Sequence, residues 1–311
     1  QITVQDGLAF VGHMDAPNGT TIIDIKNPSK PKVLKQIFLE DELSHTHKVR
    51  VAGKIMITNV EQAQRHLLRK GEQLPNVIRT LTASLNRQPD DSEIADALGL
   101  PPSKLADVRQ FLKKGYQDGG FRVWDISDPK NPELLSYVRT YGFGVHRFDM
   151  DENYAYISTE MNGYIGNILV IYDLADPKRP IEISRWHMPG QHLAAGEKPS
   201  WKGYKNRLHH ALRVGNELWA AVWNAGFQVI DISDICNPTT IAGHNYHPPF
   251  PEPTHTVLPC EQLIDGRRIA VVVDEEHDHT PGQLQAFLWM FDVTDLNNIH
   301  ALSTVNVSET E

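Results

Sequence analysis

A short phrase that recurs five times constrains this chain of 311 residues more than any other feature. It reads Thr21-Ile22-Ile23-Asp24-Ile25, Arg122-Val123-Trp124-Asp125-Ile126, Val170-Ile171-Tyr172-Asp173-Leu174, Val229-Ile230-Asp231-Ile232 and Trp289-Met290-Phe291-Asp292-Val293. Each copy is a β-branched or aromatic run closed by Asp, the composition of a buried strand. Four copies run into a proline-marked turn: Asn27-Pro28, Asp128-Pro129, Asp176-Pro177, and Asp234 to Pro238. Proline presets φ, and an Asp or Asn side chain bonds the backbone two residues on, so each turn has a mechanism.

Upstream of each Asp lies a hairpin pattern. His47 to Val51, a turn at Ala52-Gly53-Lys54 and Ile55 to Thr58 form one, and the layout returns at His146 to Thr159, His210 to Trp223 and His255 to Asp274. Each unit thus reads as four antiparallel strands, too few to bury both faces alone. Tandem copies predict an all-β fold, a β-propeller of four-stranded blades with five visible, complete or part of a larger ring. A first strand is not evident in the amino-terminal unit. The interval from Asp24 to Asp125 is longer than the rest, and its excess carries apolar residues at helical spacing, as in Ser92 to Leu98 and Leu105 to Leu112. Ser92 is the expected N-cap, with Gly99 and Gly115 as stops. The expected organisation is 1–61 for the start of the propeller, 62–118 for an all-helical insertion of three or four short helices, and 119–311 for the remaining blades. Ser92 to Gly99 resembles half a helix-turn-helix, but the pattern is short, and a packed helical pair explains it.

The phrases, above all Leu169-Val170-Ile171-Tyr172-Asp173 followed by Asp176-Pro177, are similar to LVIVD repeats, a family of β-propeller repeats. The resemblance covers nearly all of the chain outside the insertion. It implies the fold and leaves function open.

Composition narrows the partners. A net charge of −9 with scattered Lys and Arg lacks the basic stripe of a nucleic-acid binder. No stretch approaches the roughly 18 to 20 apolar residues that span a bilayer, so no membrane partner is expected. Cys236 and Cys260 form neither a disulfide framework nor a zinc knuckle. The chain starts at Gln1 without a signal core, which leaves the compartment open with the cytoplasm favoured.

Fifteen histidines are the compositional oddity, and the repeat sorts them. His47 and Glu61, His146 and Glu160, and His210 and Asn224 are each fourteen residues apart. Opposite ends of a plain hairpin lie side by side, so each blade is expected to pair a His with a polar partner. His13 takes the slot of Glu61 in the first unit, and His255 is expected to face Asp274, Glu275 or Glu276. First strands line a propeller's channel. The expected metal ligands are therefore His47, His146, His210 and His255, with Glu61, Glu160 and Glu275 orienting ligands or moving protons. His45 and His209 are the adjacent alternatives, and His13, Asn224 and Glu276 the outer partners. Neutral imidazoles backed by carboxylates suit a transition metal ion, with Fe favoured over Zn, Mn or Cu. In outline this is similar to the four-histidine iron centre of carotenoid-oxygenase propellers, although no motif of that family is present. His187 and His192 flank a long connection that reads as pocket wall or surface loop; His277 and His279 read as loop residues.

The expected function is a metal-dependent enzyme acting on a small-molecule substrate, an oxidoreductase ahead of a hydrolase or lyase. A non-catalytic propeller scaffold is the alternative. The insertion leaves right after Glu61, on the face of the histidines, and reads either as a lid over the mouth or as a homo-oligomer arm.

Overall fold

A computed structural model describes residues 1–276 and 282–306; His277 and His279 lie outside them. The recurrent phrase is the third strand of every unit. The first unit is β1 (Ile2–Gln5), β2 (Leu8–Gly12), β3 (Asn18–Asp24) and β4 (Lys32–Phe38). In the second, β5 (Ser44–His45) and β6 (Val49–Ala52) both pair with β7 (Ile55–Gln62), followed by β8 (Gly120–Asp125) and β9 (Glu133–Arg139). The third holds β10 (Tyr141–Met150), β11 (Tyr154–Glu160), β12 (Asn167–Asp173) and β13 (Ile181–Trp186). The fourth holds β14 (His210–Val214), β15 (Glu217–Ala221), β16 (Phe227–Asp231) and β17 (Thr239–His244). The fifth holds β18 (Thr254–Pro259), β19 (Ile269–Asp274), β20 (Leu288–Asp292) and β21 (His300–Val305). The chain is a β-propeller of five four-stranded antiparallel units. The first strand of the amino-terminal unit is β1, a short strand paired with β2.

The closing aspartates act locally. Asp24, Asp125, Asp173, Asp231 and Asp292 each accept the backbone N–H two residues on, at 2.7 to 3.0 Å. Each therefore turns the chain out of its third strand by a side-chain bond rather than by the ladder. A bulge just before that Asp recurs in all five units, between β3 and β4, β8 and β9, β12 and β13, β16 and β17, and β20 and β21.

Burial lies between units. Tyr156, Leu169 and Ile171 of the third unit pack on Leu218, Ala220 and Ile230 of the fourth. Trp219, Phe227 and Val229 of the fourth meet Val272, Trp289 and Phe291 of the fifth. Phe10 and Ile22 of the first join Met56 and Trp124 of the second. Among the described residues no hydrophobic cluster joins the fifth unit to the first.

The insertion differs in detail from expectation. Its first part is one helix, α1 (Arg65–Leu85), which runs through Pro75. Helix α2 (Asp91–Ala97) starts from Asp90, not Ser92: the Asp90 carboxylate accepts the N–H of Glu93, and the Glu93 side chain returns the bond to the Asp90 N–H. Aspartate with Glu three residues on makes that capping box, which outcompetes serine one turn position late. Helix α3 (Leu105–Lys114) completes it. Leu67, Leu74, Ile94, Leu98, Leu105 and Val108 form its core, and Phe143 of β10 enters it, so the helices are anchored to the third blade.

Candidate metal centre

Three of the histidine slots are made by β-bulges. Val145 pairs with Thr159 and Arg147 with Ser158, which leaves His146 as the extra residue. Thr254 pairs with Asp274 and Thr256 with Val273, which leaves His255 as another. In the second blade the first strand is broken: His45 pairs with Glu61 and Val49 with Thr58, so Thr46, His47 and Lys48 oppose two residues. A bulge frees one residue from the ladder and re-aims its side chain. Asn59 fills the gap in the second blade. Its Oδ1 accepts the Lys48 N–H at 2.8 Å, and its amide donates to Val145 O at 2.8 Å and to His47 Nδ1 at 3.1 Å.

The result is a row of five imidazoles across four blades. Ring centroids are 4.3 Å apart for His45 and His47, 5.6 Å for His47 and His146, 4.9 Å for His146 and His209, and 4.2 Å for His209 and His255. Glu61, 1% exposed, sits at one end: its Oε2 is 3.0 Å from His45 Nε2 and 3.5 Å from His47 Nε2, and its Oε1 is 3.0 Å from His146 Nδ1. Arg65, from the first turn of α1, donates to both Glu61 Oε1 at 2.9 Å and His146 Nδ1 at 2.7 Å. At the other end His209, His255 and Glu275 bring one ligand atom each within 4.8 Å of one another. Arg147 bridges these histidines, with Nε 3.3 Å from His209 Nε2 and Nη2 2.7 Å from His255 Nε2.

Hydrogen bonding assigns the ring protons. A carbonyl can only accept, so His45 Nδ1, 3.2 Å from Met14 O, and His209 Nδ1, 2.6 Å from His255 O, carry their hydrogens. His209 therefore turns an Nε2 lone pair to the channel, whereas His45 directs its Nε2 at the Glu61 carboxylate. Arg147 can only donate, so the Nε2 of His255 is a lone pair too, and its Nδ1 donates to Thr256 Oγ1 at 2.7 Å. His47 is the opposite case: Asn59 donates to its Nδ1, which puts the hydrogen on Nε2, facing Glu61.

Burial keeps the rings of His47, His146, His209 and His255 neutral. It is the main cause that lowers His146 to about 4 and His255 to about 3, and it holds His47 and His209 well below the usual histidine range. Burial alone would raise the Glu61 carboxyl, but His146, His45 and Arg65 outweigh it and hold the group well down.

Several expected pairings do not form. Because of the bulge, Glu160 opposes Tyr141 rather than His146. It lies under the insertion instead, ion-paired with Arg69 and accepting the Phe143 N–H. His210 points away from the channel: its Nε2 donates to Phe148 O at 3.3 Å, while His209 takes the channel position. Asn224 donates to Pro251 O, His13 donates to Thr21 Oγ1 at 2.7 Å, and Glu276 accepts the Ala286 N–H, all outside the row. Of the fifth unit's acids, Glu275 is the one beside His255; Asp274 is bound by Tyr246, Trp289 and the Phe287 N–H. Arg65, Arg147 and Asn59 were missed by sequence reasoning. A signal for Arg147 exists, since His47-Lys48 and His146-Arg147 repeat a cation after the histidine.

The insertion covers this face. Arg65 and Arg69 reach down from α1, and the Arg69 guanidinium lies between the rings of Phe143, at 4.1 Å, and Tyr204, at 3.6 Å.

Repeated antiparallel units around a histidine-lined channel define the class as a β-propeller. The LVIVD repeat model matches residues 1–38, 115–140, 149–187 and 214–243, consistent with an LVIVD-repeat propeller. No curated protein matches it. Among solved structures, Sqt1 of Saccharomyces cerevisiae is similar with a TM-score of 0.52 at 7% identity, over 98% of this chain and 60% of that one. The computationally designed Ika8 protein gives 0.50 at 9% identity, again over 98% and 60%. A hypothetical selenium-binding protein from Sulfolobus tokodaii gives 0.45 at 12% identity, over 96% and 75%. This chain thus spans about 60% of the length of the first two, and the likeness is one of fold.

Proposed function

We propose that this propeller is a metal-dependent oxidoreductase that binds one transition metal ion, iron by preference, through His209, His255 and Glu275, and acts on a small organic anion. One observation carries the reading: His209 spends its Nδ1 hydrogen on a backbone carbonyl and keeps Nε2 for the channel, the arrangement that outer-shell carbonyls impose on metal-ligating histidines. Two histidines and a carboxylate with open positions suit non-haem Fe(II). His45, His47 and Glu61 are fully enclosed, whereas His255 and Glu275 are only partly buried, so the second group is the one a substrate can reach. When bound, the metal supplies a Lewis acid and a redox centre beside the substrate. Arg147 already places a cation against the same two lone pairs, and a metal ion would take its place.

The substrate class follows from charge. Against a net charge of −9, Lys48, Arg147 and Arg207 lie at or near this face without a carboxylate in ion-pair contact among the described residues. Arg207 instead stacks on Trp223, 3.6 Å from its ring centroid. Cations so placed favour an anionic ligand.

Elemental analysis of the protein after anaerobic Fe(II) loading and desalting tests the reading. We expect iron in the wild type and its loss in a His209→Ala, His255→Ala variant. A chain that retains no metal, with thermal stability indifferent to chelation, would support the non-catalytic scaffold instead.

A further inference from the structure

A second ligand set lies outside the channel, in the connection after β13. The segment folds back on itself. Gln191 Oε1 accepts the Met188 N–H at 2.9 Å, a single 3-10 turn spans Leu193–Ala195, and Gly196 at φ +85° reverses the chain. A left-handed residue is needed at that point, and glycine supplies it without strain. Glu197 is thereby returned over the start of its own loop. Its Oε2 accepts the N–H of Gly190 at 2.7 Å and of His192 at 3.1 Å.

Those two bonds hold a carboxylate among imidazoles. His187, His192 and Glu197 each bring one ligand atom within 4.8 Å of the others. His187 Nδ1 is 3.1 Å from Met188 O and 3.9 Å from Glu197 Oε2, the latter too long for a hydrogen bond. Tyr164 fixes the other ring: it stacks on His192 at 4.2 Å and 9°, and presents its edge to His187 at 5.2 Å. Among the described residues nothing hydrogen-bonds to either ring nitrogen of His192. The loop thus orients two imidazoles and one carboxylate, yet uses neither nitrogen of one ring.

We propose that His187, His192 and Glu197 form a second transition metal site, independent of the channel. Two nitrogens and one oxygen suit Zn²⁺, Fe²⁺ or Mn²⁺, and partial exposure leaves room for water or a ligand atom to complete the coordination. Its surroundings suit a ligand. Tyr164 and Leu193, beside the triad, also line a cavity of about 830 Å³ between the insertion and the third blade, with Tyr116, Tyr141, Tyr204 and Arg69 on its walls. That volume lies within the range of small-molecule sites.

Zn²⁺ is the probe, because it needs no anaerobic handling and titrates both sites. The full chain is equilibrated with Zn²⁺, dialysed and analysed for metal per chain, alongside His187→Ala, His192→Ala and His209→Ala, His255→Ala double variants, with circular dichroism confirming that each is folded. We expect the loop variant to bind one ion fewer than the wild type, and Glu197→Gln to weaken that ion's binding at least about tenfold. A wild type with one ion, lost in the loop variant, upholds this site and overturns the channel reading. A folded loop variant that binds as much Zn²⁺ as the wild type overturns it.

Discussion

His146 touches Glu61 with one ring nitrogen and His209 with the other: Nδ1 lies 3.0 Å from Glu61 Oε1 and Nε2 lies 3.0 Å from His209 Nε2. The His209 lone pair requires that His146 carry its hydrogen on Nε2, which leaves Nδ1 to accept from Arg65. One imidazole therefore joins the enclosed acid at one end of the row to the buried His209, and through it to the partly buried His255, at the other. So placed, the His146 ring can give its Nε2 hydrogen to a group on the His209 side and be reprotonated at Nδ1, the nitrogen that faces Glu61 and Arg65.

That relay is testable apart from metal binding. In His146→Phe we expect metal content close to wild type and a fall in kcat of about 10²-fold or more with KM nearly unchanged, the magnitude of a lost proton-transfer group. Loss of the metal along with the activity would make His146 a ligand rather than a relay.

Adjacent histidines should separate cleanly. His209→Ala and His255→Ala are expected to abolish channel iron, whereas His210→Ala should keep it. The His210 ring is buried, with Nε2 on Phe148 O and Nδ1 without a hydrogen-bond partner among the described residues. Its removal strands a buried carbonyl and should cost about 1 to 3 kcal/mol in urea denaturation. Equal metal loss in all three variants would contradict this division.

A metal ion held by His209 and His255 would compete with Arg147 for two lone pairs. Arg147→Met should therefore tighten Fe(II) binding, measurably in a chelator competition, while raising KM for an anionic substrate. Its KM should also rise less steeply with salt than that of the wild type, because one cation of the mouth is gone. Unchanged or weaker metal binding in this variant would place the ion elsewhere.

Stability should fall with acid below neutrality. His146 at about 4 and His255 at about 3 in the folded chain regain an ordinary value of 6.5 on unfolding. Between these limits the unfolded state binds more protons, so stability declines as pH drops from about 6.5. Asp274, raised to about 6 chiefly by burial, has the opposite slope between 3.8 and 6. His47, His209 and His210 are lowered as well, so the histidines prevail. Thermal melts of metal-free protein from pH 7.5 to 4.5 should show a decreasing Tm; a flat or rising Tm would mean that these rings are not neutral in the folded chain.

The fold was readable because its signals are local. Asp24, Asp125, Asp173, Asp231 and Asp292 do their work within two residues of themselves, so the repeat is visible without any knowledge of packing. The insertion was readable for the same reason, although a single residue type was not enough to find its cap: Asp90 and Glu93 cooperate, while Ser92 was the more obvious candidate. The pairing of His146 with Glu160 failed because counting fourteen residues assumes an unbroken ladder, and β10 leaves register twice, once at His146 and again between Val145 and Tyr141.

Local chemistry in the chain settled the five repeats, their turns, the helical insertion and the gathering of histidines at the starts of first strands. Which nitrogen of which histidine enters the channel was settled by contacts between distant residues. Asn59 meets Val145, His45 meets Met14, Arg65 reaches His146, and His209 meets His255, across separations of 31 to 86 residues. Side-chain direction in a strand alternates and flips with one bulge, and ring protonation follows whichever donor or acceptor lies opposite. Both depend on the neighbouring blade, and that neighbour exists only once the units have packed.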